Sequence, residues 1–154
     1  MKLNQPDGGP HRHRLRVYYE DTDAGGVVYH ANYLRFAERA RTEALRDMGI
    51  PHAEMVSQHG LMFMVRRIKV DYLGSARLDD SLIVTTHTLE VGAASATLRQ
   101  EFRREGEERV LVAADIQLAC VRLADQRAAR MPARWRDALA GLVEEREKAS
   151  NGAQ

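Results

Sequence analysis

The chain has 154 residues, enough for one domain with a packed core and too few for two of ordinary size. Its 23 basic residues nearly balance 22 acidic ones, for a formal net charge of +1, so composition carries neither the basic footprint of a nucleic-acid binder nor a strong pull toward an anionic membrane. No run approaches the roughly 20 apolar residues that span a bilayer, the N-terminus lacks an apolar signal core, and Cys120 is the only cysteine, which excludes an intramolecular disulfide and a cysteine-based metal site. A cytoplasmic location is expected, and Cys120, inside the apolar run from Ile116 to Val121, reads as a packed thiol.

Residues 1–13 are rich in Asn, Gln, Pro, Gly and His and are expected to form a flexible tail in which His11 and His13 are solvated. Leu15, Val17 and Tyr19 then alternate with Arg14, Arg16 and Tyr18, the period of a half-buried strand. That strand runs into Tyr19 to Tyr33, which places an acid pair, Asp21 and Asp23, a double glycine and His30 before a helical pattern. Gly25 and Gly26 permit positive φ and close approach of a ligand to the backbone. The helix beginning at Asn32, or at the turn of His30 and Ala31, leaves its first N–H groups unpaired and partly positive. A carboxylate just before such an end sets a nucleophile or base beside an oxyanion binder, as acyl transfer requires. Asp and Thr at this spacing also serve as simple turn caps, so the segment needs the rest of the chain to decide between them.

From Asn32 to about Met48, Tyr33, Phe36, Ala37, Ala40, Ala44, Leu45 and Met48 recur at helical spacing and define a long helix with a small, Ala-rich stripe, ended by Gly49 and Pro51. His52 to Gly60 reads as a short helical turn or loop. Met62–Leu73, Leu82–Val91, Ala94–Arg103 and Arg109–Leu123 are strand-like, separated by Gly74-Ser75, Asp79-Asp80, Gly92-Ala93 and Glu105-Gly106. Short connections make the last three antiparallel neighbours, and the alternation through Val112, Ala114, Ile116, Leu118 and Cys120 marks a central strand. After Pro132, Trp135, Leu139, Leu142 and Val143 form an amphipathic helix, with a charged, frayed tail over 144–154. The domain proper is expected over 14–143, an α+β fold with an antiparallel sheet of five strands and one main helix. One helix cannot cover both faces of such a sheet, so the sheet curls around it or seeks a second copy, and a homodimer or homotetramer is expected.

Motif and element order together resemble the hotdog fold, in which a five-stranded antiparallel sheet wraps a long central helix. Asp21-Thr22-Asp23-Ala24-Gly25-Gly26-Val27-Val28-Tyr29-His30-Ala31-Asn32-Tyr33 resembles the signature of the 4-hydroxybenzoyl-CoA thioesterase family, most narrowly its bacterial Tol-Pal-associated, YbgC-type acyl-CoA thioesterases. The resemblance runs from about Leu15 to Leu123 and includes Tyr72-Leu73-Gly74-Ser75-Ala76 and Leu78-Asp79-Asp80. It implies hydrolysis of a short- or medium-chain acyl-CoA, with Asp23 as nucleophile or general base. The backbone of His30 would polarise the thioester oxygen, and Tyr19 would line the site. Gly26 and Val27 would bind substrate, and Arg66, Arg67 and Lys69 would meet the phosphates of coenzyme A. Asp21 is left as a structural partner of the turn. No cofactor or metal is implied beyond the coenzyme A of the substrate.

Two other functions compete. A scaffold holding acyl-carrier protein or phospholipid-synthesis enzymes needs no ionised Asp23. A hydroxyacyl dehydratase needs a His and an acid from two subunits, and the acid pair before the helix argues against it.

Overall fold

The computed structural model describes residues 9–144; of the tails expected at 1–13 and 144–154, residues 1–8 and 145–154 lie outside the described residues. The elements are β1 (His11–Arg16), a 3-10 turn (Tyr19–Asp21), α1 (Asn32–Asp47), α2 (His52–His59), β2 (Leu61–Tyr72), β3 (Ser81–Val91), β4 (Ser95–Arg104), β5 (Val112–Arg122) and α3 (Ala133–Gly141). The five strands form one sheet in the order β1-β3-β4-β5-β2, antiparallel throughout. The short turns after β3 and β4 make hairpins, while β2 crosses the fold to close the far edge against β5. This is the α+β architecture expected, with β5 interior and β4 at the centre.

The even-numbered side chains of β4 and β5, among them Ala96, Leu98, Phe102, Val112, Ile116 and Leu118, point to one buried face. At one end α1 lies on it through Tyr33, Phe36, Ala37 and Ala40, with Phe102 and Val112 beneath. The alanines matter here, because a stripe of small residues lets the helix axis approach the pleated surface closely. At the other end Trp135 and Leu139 of α3 close over Ile116, Leu118 and Cys120, and Thr88 of β3 anchors α3 by donating from its amide to Leu142 O (2.7 Å) and from its hydroxyl to Leu139 O (2.6 Å). Cys120 is buried, as expected of a packed thiol. The opposite face is polar: Arg99 Nε and Nη2 donate to the two carboxylate oxygens of Asp115 at 2.8 and 3.0 Å, and Arg103 pairs with Glu101. It therefore needs no second layer.

Two sequence expectations are corrected. The first strand begins at His11, inside the segment expected to be tail, and His11 is 3% exposed with Nε2 2.8 Å from Asp47 Oδ2 at the end of α1. His13 is half-buried on the same strand. Polar residues were no obstacle there, because β3 supplies the ladder hydrogen bonds and Asp47 the partner that an isolated segment lacks. Conversely, the strand does not reach Tyr19. After Arg16 the chain leaves the ladder, Val17 is buried and tied to Asp80 O and Asp79 N, and Tyr19 enters the 3-10 turn with its side chain 83% exposed. Smaller differences are the later start of β5, at Val112, and a regular helix over His52–His59.

Burial lowers the pKa of both His13 and His52 from the model-compound 6.5, aided by the charge of His11 at the first and of Arg41 at the second. The unfolded chain then takes up these protons first as pH falls, so stability is full above about pH 6.5 and declines below it, well before the carboxylates titrate. Urea midpoints compared at about pH 7.5 and about pH 5 should drop, and less so in the double variant His13→Gln/His52→Gln. An equal drop would exclude these rings as its cause.

Candidate active site

Between the 3-10 turn and α1 the chain makes a narrow hairpin closed by a bridge between Thr22 and Val28. The Asp23 N–H donates to Val27 O at 2.9 Å and the Gly26 N–H returns to Asp23 O at 3.0 Å, a reversal that puts Gly26 at φ +77, where a side chain would be strained. The carboxylate of Asp23 is exposed, and its Oδ1 accepts the Gly25 N–H at 2.8 Å. A Cβ on Gly25 would stand 3.2 Å from that oxygen, so glycine is what lets the carboxylate lie against the loop. Only Gly26 of the pair uses positive φ; Gly25 serves through lack of bulk.

Asp21 is the structural acid. Its Oδ2 accepts the Tyr18 N–H at 2.8 Å, and its carbonyl accepts the Tyr29 N–H at 3.0 Å and Asn32 Nδ2 at 2.9 Å, which ties the turn to the first residue of α1. Behind the hairpin, Val27 bridges Arg77, the Val28 N–H donates to Ala76 O at 2.9 Å, and the Ala76 N–H donates to the Tyr33 hydroxyl at 3.0 Å. Arg104 secures this backing segment from β4, with Nη2 on Ser75 O at 2.5 Å and Nε on Asp80 Oδ2 at 3.0 Å.

His30 precedes the helix with an exposed side chain. Ala31 is its N-cap and provides no side-chain cap, and the His30 and Ala31 N–H groups have no hydrogen-bond partner among the described residues. Those two donors are available to an oxygen of a ligand. The Tyr72 hydroxyl donates to His30 O at 3.0 Å, and the two rings meet edge-on at 6.2 Å between centroids.

The fold thus brings Asp23, Gly26, Val27 and His30 onto one hairpin and its exit into α1. It does not bring the other candidates to them. Tyr19 contributes its carbonyl to Thr22 while its ring faces solvent. Arg66, Arg67 and Lys69 are exposed on the edge strand β2, at a register shift between Val65 and Arg67, and Arg67 lies about 17 Å along the strand from Tyr72. Sequence reasoning gave no role to Tyr72, Asn32 or the Tyr33 hydroxyl, although Tyr72 and Ala76 stand in the second matching motif. The partners of Tyr72 and of the Tyr33 hydroxyl lie 42 and 43 positions away and that of Asn32 lies 11 away, all beyond the reach of local pattern. Among the described residues no group of three or more His, Cys, Asp or Glu is placed to hold a metal ion, and no helix is long and apolar enough to cross a membrane.

A sheet wrapped on one helix, with an exposed carboxylate before an uncapped helix start, defines a hotdog-type thioesterase class of protein. Residues 17–139 match the thioesterase-like superfamily, and the chain belongs to that family. It is 43% identical over 118 residues to an acyl-CoA thioesterase YbgC of Haemophilus influenzae, covering 77% of this chain and 85% of that one. It is 42% identical over 107 residues to an acyl-CoA thioester hydrolase YbgC of Escherichia coli, covering 70% and 78%. Among solved structures, a probable thioesterase from Bartonella henselae superposes with a TM-score of 0.75 at 33% identity, over 80% of this chain and 99% of the other.

The Tyr33 hydroxyl is the acceptor for a buried backbone N–H, so Tyr33→Phe should cost about 1–3 kcal/mol of stability. Chemical denaturation would read this; a loss below about 0.5 kcal/mol would mean that the Ala76 amide finds another acceptor.

Proposed function

We propose that the protein hydrolyses the thioester of a short- or medium-chain acyl-CoA to free coenzyme A and a carboxylic acid, with Asp23 as the reacting carboxylate. The observation that carries this reading is the pairing of the Asp23 carboxylate, held by one N–H from Gly25, with the unpartnered amides at His30 and Ala31. A thioester carbonyl seated on those amides would gain stabilisation as its oxygen becomes negative. Asp23 either attacks the carbonyl carbon, forming an anhydride as the C–S bond breaks and the thiolate leaves, an anhydride that water then hydrolyses to the acid and free Asp23, or takes a proton from a water that attacks the carbonyl and expels the thiolate. Both routes use the ionised carboxylate, and neither calls for a metal or a cofactor beyond the coenzyme A of the substrate.

Gly26 and Val27 give the hairpin edge against which substrate lies, and Tyr19 keeps an exposed ring in the preceding 3-10 turn, where a bound substrate rather than the fold would recruit it. Arg66, Arg67 and Lys69 meet the phosphates of coenzyme A only with a second copy, since within one chain they stand well along β2 from the hairpin. A homodimer or homotetramer is supported by the free edge of β2, twelve residues long, with Val65 and Tyr72 exposed on it. The motif's resemblance to the Tol-Pal-associated branch supports a cytoplasmic role in that envelope context. A scaffold for acyl-carrier protein is the second reading, favoured by the exposed Tyr18, Tyr19 and Leu78 around the hairpin.

Thiol release from a panel of acyl-CoAs and acyl-carrier proteins should fall about 100-fold or more in Asp23→Asn with unfolding unchanged. Full turnover in that variant would remove Asp23 from the chemistry, and loss of turnover with complete rescue of a deletion phenotype would favour the scaffold. Gly25→Ala, which crowds the same carboxylate, should reduce turnover more than stability.

A further inference from the structure

Away from the hairpin, a cavity of about 390 Å³ opens between α1, α2, α3 and the buried face of the sheet. Its walls are mostly apolar, with Leu45, Phe63, Leu98, Leu118, Leu139 and Leu142 among them, and its size falls in the range of about 300–1,000 Å³ that small-molecule sites occupy. One group does not belong in such walls. Arg41, on α1, turns its guanidinium into the cavity and forms no ion pair among the described residues.

Arg41 is held rather than loose. Nη1 donates to Gln100 Oε1 at 3.0 Å, and Gln100, with no exposed surface, is itself fixed by donating from Nε2 to Ala37 O at 2.9 Å and to Thr86 Oγ1 at 3.0 Å. Of the five N–H donors of a guanidinium, the other four have no partner among the described residues. Arg41 is half-buried; burial lowers its pKa and the nearby Glu38 charge raises it, and a carboxylate that reaches its four remaining donors gains charge-assisted hydrogen bonds. His52, packed edge-on against Phe63, lies on the same wall, and burial and the charge of Arg41 lower its pKa against the opposing charge of Glu38. Glu38 also lines the cavity but is exposed at its mouth and makes no ion pair with Arg41.

We propose that this cavity binds an apolar chain ending in a carboxylate, with the carboxylate on Arg41 and the chain against the leucines. The site is separate from the hairpin: Arg41 follows Asn32 by nine helical positions, about 14 Å along α1. The inference goes beyond the thioester reading and does not depend on it. The carboxylate has two chemical sources, a free medium-chain acid or the far end of an acyl group that carries a second carboxyl.

Titration calorimetry on the full chain with octanoate and with octanol, which differ in charge at similar length, tests the site directly. Octanoate should bind the wild-type protein about tenfold or more tightly than octanol, and Arg41→Met should remove that difference while octanol still binds. Equal binding of the two by wild type overturns the proposal without any variant having to fold. A preference retained in Arg41→Met overturns it as well. Turnover of sebacoyl-CoA relative to decanoyl-CoA, chains long enough to reach from the hairpin toward Arg41, separates the sources. A preference for sebacoyl-CoA that Arg41→Met abolishes places the carboxylate on the substrate, and octanoate discrimination without it places a free acid there. Failure of octanoate to bind leaves the Asp23 chemistry as it stands, because no bond is made or broken in that measurement.

Discussion

The arrangement of this protein depends on one buried peptide. Ala76 lies wholly inside, where an unpaired amide or carbonyl would cost more than most single contacts contribute. Both of its polar atoms are satisfied by the same functional region, the carbonyl by the Val28 N–H and the amide by the Tyr33 hydroxyl. Tyr33 stands in the first turn of α1, so satisfying Ala76 sets where the helix starts, and Val28 sets where the hairpin bearing Asp23 ends. A chain that failed to place either would bury an orphan.

From that constraint the division of labour along the hairpin follows. Asp21 spends its carboxylate on Tyr18 and its carbonyl on Tyr29 and Asn32, all within the turn. The Asp23 carboxylate, two positions on, accepts only the Gly25 N–H among the described residues, so it keeps acceptor capacity facing solvent. The two acids differ because one lies where the chain folds back on α1 and the other at the tip of the loop. Backing from Ala76 and Arg104 gives an exposed carboxylate a fixed position relative to the amides at His30 and Ala31.

The sheet's buried face divides into two regions that meet at the cavity. Around α1 the filling is small side chains and aromatics; around α3 it is leucines and Trp135. Between them, Gln100 stands between the apolar Leu98 and Phe102 on the same face of β4, and its side chain links Thr86 and Ala37 O to the Arg41 guanidinium. A buried network of this kind orients a charge better than packing alone, since every member but the guanidinium has its partners within the chain.

Much of this architecture was legible along the chain. The Ala-rich stripe of α1, its stop at Gly49, the alternation through β5 and the turn pairs between strands are local signals, and period and turn chemistry act over a few residues whatever the surroundings. The division of Asp21 from Asp23 and the membership of Gly26 and His30 in one site were legible through a contiguous motif. What depended on pairing was not. His11 became strand because β3 and Asp47 were there to receive it, and Tyr19 left the strand because the ladder ended at Arg16. Tyr72 reached His30 across 42 positions, and Arg41 acquired its setting from Gln100, 59 positions away. Sequence by itself determined which segments bury a face and where an acid pair, a double glycine and a histidine cluster before a helix, because those follow from local periodicity and from the order of residues along the chain. Only the tertiary structure decided which polar groups are matched and which charge, among the described residues, is left without an ion pair, because desolvation and hydrogen-bond partners exist only once distant segments are packed together.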